Sequence, residues 1–137
     1  MSEVIIVKNE AEAGAIYGRA VADLIKAKPN AVLGLATGSS PLAAYQSLAR
    51  IVKDEHVDVS HVRGFALDEY LGIPLDHPQS YHSTIHRTVV EPLGLNPALV
   101  HVPGDSLEGA PLSDGERIAQ AGPAYDEAIA AAGGIDV

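Results

Sequence analysis

A chain of 137 residues with 47% hydrophobic content has the size of one domain and enough apolar residues for a single compact core. A formal charge of -9 argues against nucleic acid as a partner, which needs clustered Lys and Arg, but leaves room for a small phosphorylated ligand held by backbone N–H groups. With no cysteine, no stretch approaching ~20 apolar residues and no basic, signal-like N-terminus, the expectation is a cytoplasmic protein without membrane contact whose chemistry falls to carboxylates, histidines and hydroxyls.

Val4 to Val7 is a short β-branched run that predicts a strand, and the Ala-rich segment from Glu10 to about Lys28 has helical spacing. Pro29-Asn30 breaks the pattern before Ala31 to Ala36, a nearly continuous apolar run of the kind found in a strand covered on both faces. The turn Thr37-Gly38-Ser39-Ser40 then leads into a helix for which Ser40 is the expected cap and Pro41 the expected first residue. Val62 to Leu67 reads as the next strand, closed by Asp68-Glu69. After a turn through Pro74 and His77-Pro78, helical spacing runs from Tyr81 to about Glu91 and stops at Pro92-Leu93-Gly94. Leu99 to Val102 is a further strand, Pro103 to Leu112 a loop, and Asp114 to Ala132 a last helix, expected to be disturbed near Gly122-Pro123. Gly133-Gly134 ends that helix, and Ile135-Asp136-Val137 reads as the opening of another strand. Alternating strands and helices define an α/β chain with a Rossmann-like, doubly wound, mainly parallel sheet.

Two places carry candidate chemistry. At Thr37, Gly38, Ser39 and Ser40, between a buried strand and a helix start, unpaired N–H groups, hydroxyls and the helix dipole can converge on a phosphate. The same serines serve equally well as helix caps, and the motif alone does not decide. It is neither a Walker loop nor a GxGxxG turn. Asp68 and Glu69 stand at the carboxyl end of a strand, where open α/β sheets form their ligand crevices. A carboxylate there can act as a general base, or simply end the strand in solvent, and adjacent residues point to opposite sides, so one of the two faces the reacting carbon. His82 and His86 stand four apart on a predicted helix, but no HExxH pattern or third ligand accompanies them, so no metal is assigned.

Leu35-Ala36-Thr37-Gly38-Ser39-Ser40-Pro41, Leu67-Asp68-Glu69-Tyr70-Leu71-Gly72 and His77-Pro78-Gln79-Ser80-Tyr81, in that order and spacing, resemble the glucosamine-6-phosphate deaminase family. The resemblance runs from near the N-terminus to Val137 and makes 1–137 the N-terminal part of one sugar-phosphate isomerase/deaminase-type domain. It implies a reaction in which glucosamine 6-phosphate and water give fructose 6-phosphate and ammonia, with no redox cofactor and no required metal. Asp68 would be the base that moves a proton between C2 and C1, Thr37 to Ser40 the phosphate loop, and Glu69, Tyr70 and His77 residues of the pocket. The small-molecule sugar phosphate is the only partner implied, alongside monomers or a homo-oligomer.

The related 6-phosphogluconolactonases usually have Arg where this chain has Tyr70 and lack the His77–Tyr81 pattern, which places lactone hydrolysis second. A non-catalytic sugar-phosphate sensor is the third reading. Family members continue past the equivalent of Val137 into an Asp-Gly-His motif and a Glu credited with ring opening. On that resemblance the 137 residues are expected to be a portion of a longer enzyme, inactive and marginally stable alone.

Overall fold

The computed structural model describes residues 2–137. Three parallel strands, β1 (Val32–Leu35), β2 (Arg63–Ala66) and β3 (Val100–His101), form a sheet in the order β1-β2-β3. Helices α1 (Glu10–Ala27) and α2 (Leu42–Asp54) flank β1 in sequence, a helical segment spans Tyr81 to Leu93, and α5 (Asp114–Ala131) follows β3. Within the middle segment, α3 (Tyr81–Ile85) and α4 (Glu91–Leu93) are joined by a π-helical stretch, His86–Val90. Pro92 explains the widening: it has no N–H to give the Thr88 carbonyl, and its ring crowds the preceding turn.

Alternation along the strands sorts the two faces. Leu33 and Leu35 join Val21, Ile25, Leu48, Val52, Ile85, Val89 and Val100 in one buried cluster under α1, α2 and the Tyr81–Leu93 segment. The opposite face carries Phe65, whose ring meets Tyr125 of α5 edge-on at 5.6 Å and His101 at 5.5 Å. Tyr125 also donates from its hydroxyl to the carbonyls of Ala66 (2.8 Å) and His101 (3.0 Å), tying α5 to the ends of β2 and β3. Helices therefore cover both faces of a parallel sheet, as the sequence pattern predicts.

Close helix packing on the first face depends on Gly14 and Gly18. A Cβ at Gly14 would lie 2.7 Å from the Ala43 carbonyl carbon and oxygen, and one at Gly18 would lie 2.6 Å from Ser47 Oγ. The two glycines, one helical turn apart, let the α1 backbone rest directly on the first two turns of α2. Arg19 and Lys26 of α1 then close on Glu55 at the far end of α2, where the two cations, Arg19 first, pull the carboxyl down to about 2.

Several expectations are corrected. Val4 to Val7 is not a strand: the segment is extended but unpaired, with Val4 and Ile6 almost wholly exposed, because β-branching favours extension while only a neighbouring edge makes a strand. Ser40 is not the cap of α2. Pro41, already in helical conformation, takes that position and makes no side-chain cap bond. α5 runs through Pro123 without interruption. The strands at Val62 and Leu99 are shorter than predicted, since Leu99 is drawn into a 3-10 turn, Pro97–Leu99, capped by Asn96. Ile135 to Val137 do lie along the open edge of β1: the Asp136 N–H donates to the Val32 carbonyl (2.8 Å) and the Gly34 N–H to the Val137 carbonyl (2.7 Å). The chain thus winds outward from β1 to β3 and returns through α5 to the other side of β1. Its direction reverses at β1, and such a reversal opens a crevice at the strand's carboxyl end.

Candidate active site

β1 and β2 pair with Leu35 opposite Ala66, and the ladder extends one step further through the bond from the Leu67 N–H to the Leu35 carbonyl (3.2 Å). Carrying that register two residues forward sets Thr37 opposite Asp68, and Tyr81 feels both the Thr37 hydroxyl and the Asp68 charge. The two segments that sequence alone marks for chemistry therefore meet at one sheet edge.

The Thr37–Ser40 turn is held from below. Tyr45, only 4% exposed, accepts the Ala36 N–H (2.8 Å) and donates to the Ala36 carbonyl (3.0 Å). Burial pushes its phenol up, the Ala36 bond opposing. Gly38 has φ 105°, a conformation that costs other residues free energy, and a Cβ there would meet nothing within 4 Å. Ser39 and Ser40 are exposed, and α2 begins without a side-chain cap, so their hydroxyls are not spent on capping. An open turn, two hydroxyls and the first N–H groups of a 13-residue helix make a suitable cradle for an anion.

Just past the end of β2 the two carboxylates have different surroundings. Glu69 turns to the protein: its Oε1 accepts the N–H groups of Tyr70 and Tyr81, and its Oε2 that of His82, each at 2.9 Å. Asp68 is exposed. Beside it the rings of Tyr70 and Tyr81 face each other with centroids 4.7 Å apart, and their hydroxyls are 3.2 Å apart. The Tyr81 phenol is raised above its ordinary value, chiefly by the Tyr70 hydroxyl, then by burial and by the charge of Asp68, while the Thr37 hydroxyl pulls the other way. Tyr81 thus senses both the turn and the carboxylate. Sequence reasoning names it as the end of a motif and the start of a helix, but not as a neighbour of Asp68. The available signal is Ser80, fully buried, which caps the helix at Ser83 and so fixes Tyr81 as its first residue.

A cavity of about 480 Å³ lies next to this cluster, between Glu69–Leu75, Pro103–Gly109 and the first turns of α5. It contains Glu69 and Tyr70 but neither Asp68 nor the Thr37–Ser40 turn. His77 is not part of that wall: it is exposed, and its Nδ1 accepts the Gln79 N–H (3.0 Å) inside its own turn. His82 and His86 are engaged separately, with the Leu75 carbonyl (3.2 Å) and Glu91 (3.4 Å), and among the described residues no group of three His, Asp or Glu is placed to hold a metal. No helix among them is long and apolar enough to cross a membrane.

Comparison with known proteins follows the same outline. Residues 9–136 match the family model described as glucosamine-6-phosphate isomerases/6-phosphogluconolactonase. The chain belongs to this family. A glucosamine-6-phosphate deaminase of Bifidobacterium longum (strain DJO10A) is 81% identical over all 137 residues, which make up 51% of that relative. One from Streptomyces avermitilis is 45% identical over 98% of this chain and 49% of its own. Among solved structures, a monomeric glucosamine-6-phosphate deaminase superposes with a TM-score of 0.83 at 29% identity, covering 98% of this chain and 53% of that one. A 6-phosphogluconolactonase from Thermotoga maritima shares the fold at TM-score 0.66 and 21% identity, over 94% and 53%. The chain spans about half the length of the curated relatives it matches.

Proposed function

We propose that the protein to which this chain belongs converts glucosamine 6-phosphate and water into fructose 6-phosphate and ammonia, in amino-sugar catabolism. What supports this reading is the register of β1 with β2, which, carried two residues past Leu35 and Ala66, sets the Thr37 end of the candidate phosphate turn opposite Asp68. A phosphate held at Thr37, Gly38, Ser39 and Ser40 fixes one end of the open-chain sugar. Asp68 then takes the proton from C2 and returns it at C1 through an enol-type intermediate, as a base within hydrogen-bonding reach can do. The amino group leaves C2 as ammonia, and water supplies the oxygen that remains as the ketone.

Tyr70 and Tyr81 form a wall beside the base, and Glu69 is occupied elsewhere, which leaves a single carboxylate for proton transfer. Residues 1–137 are the N-terminal part of one sugar-phosphate isomerase/deaminase-type domain; ring opening belongs to groups outside them. The similarity to proteins named glucosamine-6-phosphate deaminase favours the amino sugar over the lactone, and Tyr70, where the resemblance implies Arg in a lactonase, agrees. The test is ammonia release by the full-length protein from glucosamine 6-phosphate, with 6-phosphogluconolactone as the competing substrate. Hydrolysis of the lactone without ammonia release would transfer the assignment to the lactonase side of the family.

A further inference from the structure

Glu69 is next to the proposed base, yet its carboxylate is already fully engaged. Its three N–H donors come from two places, one from Tyr70 in its own loop and two from Tyr81 and His82 at the start of a helix twelve residues further on. A helix start leaves N–H groups without intrahelical partners and concentrates partial positive charge, so a carboxylate bridging two of them is held by both effects. Ser80 completes the arrangement from the other side by accepting the Ser83 N–H (3.0 Å) and donating to the Leu75 carbonyl (2.8 Å). Turning Glu69 toward a substrate would release three N–H groups at once, which excludes it as a second base in this geometry.

We infer that Glu69 is a positioning residue: it clamps the end of β2 to the start of α3 and thereby fixes Asp68 and the Tyr70–Tyr81 wall relative to one another. The inference rests on the proposed role of Asp68 as the base. Asp68 is joined to Glu69 by a single peptide and is exposed, so the three bonds that hold Glu69 restrain the backbone from which Asp68 projects. The same bonds hold Tyr70 and Tyr81 at opposite ends of the clamp, which is why two side chains eleven residues apart meet with their hydroxyls at 3.2 Å. Proton transfer is sensitive to such placement: a shift of about 1 Å can cost on the order of a hundredfold in rate.

The experiment uses the full-length protein with Glu69→Gln, Glu69→Asp and Glu69→Ala, reading kcat and KM for ammonia release together with hydrogen exchange at the Tyr81 and His82 amides. Glu69→Gln keeps the size and one acceptor oxygen but turns an NH₂ group toward an N–H donor. We expect kcat to fall ~10- to 100-fold with KM little changed, the two amides to exchange faster, and Glu69→Asp to lie between wild type and Glu69→Gln. Wild-type kcat in a folded Glu69→Gln whose amides have lost protection would overturn the inference, because the clamp would then be structural only. So would a loss of kcat with the amides still protected, which would make Glu69 a catalytic group. Should the unmutated protein release no ammonia, the reaction assignment fails instead, and amide exchange in the variants still reports whether the clamp exists.

Discussion

Replacing Tyr45 with Phe isolates one link between the core and the candidate phosphate turn. The ring is 4% exposed and Phe fills the same space, so no cavity opens. What is lost is the pair of bonds from one hydroxyl to the N–H and carbonyl of Ala36, at 2.8 and 3.0 Å. Leaving a buried polar group without a partner costs about 1–3 kcal/mol. Ala36 is half-buried, so water recovers part of that for its two groups, and a net cost of about 2 kcal/mol is expected, roughly 30-fold in the folding equilibrium. Urea denaturation of full-length wild type and Tyr45→Phe measures it as a lower midpoint at constant slope. Because Ala36 immediately precedes Thr37, KM for the sugar phosphate should rise in the same variant. A change below ~0.5 kcal/mol would refute the reasoning, since that is the range of substitutions that touch nothing important.

The glycine contact between α1 and α2 gives a second expectation. Gly14→Ala places a carbon 2.7 Å from the Ala43 backbone, which cannot rotate away, and should destabilise by about 1–3 kcal/mol in the same denaturation assay. Acidification gives a third. Glu55 is depressed to about 2 from 4.5 by Arg19 and then Lys26, and Asp136 is lowered by Lys28 and by the Val32 N–H. A carboxyl whose folded-state value is depressed contributes its full stabilisation above its unfolded value and loses it as the pH falls toward the folded one. The midpoint should therefore decline below about pH 4.5, and Glu55→Gln should flatten that decline, the more so at low salt because the pair is exposed. An equally steep decline in Glu55→Gln would remove this ion pair from the explanation.

The parts of the fold legible in the sequence are those where local chemistry and burial agree. Ala31 to Ala36 reads as a doubly covered strand because both of its faces are apolar, and it is buried on both. The helix at Glu10 announces itself through spacing; that Asn9 caps it by accepting the Glu12 N–H is seen only in the structure. Val4 to Val7 misleads because β-branching measures readiness to be extended, whereas strand formation needs an edge to pair with. Ser40 misleads because Pro41 is compatible with more than one position at a helix start, and here it takes the cap itself. In the candidate site, sequence marks Asp68 and the Thr37–Ser40 turn but not their adjacency, which follows from carrying the strand register forward. It pairs Asp68 with Glu69 without saying which faces solvent. That choice is made by the helix start at Tyr81, a long-range partner no local pattern contains. His77 falls outside the cavity because its ring is engaged in its own turn.

The central claim is that Asp68 moves the C2 proton of a sugar whose phosphate sits at the neighbouring turn. Ammonia release from glucosamine 6-phosphate by the full-length protein, compared between wild type and Asp68→Asn at matched folded concentration, tests it most directly. Asn keeps the shape of the side chain and removes the base, so the account predicts turnover in the wild type and a loss of roughly 10²- to 10⁴-fold in kcat in the variant. An Asp68→Asn protein that releases ammonia at the wild-type rate would contradict it.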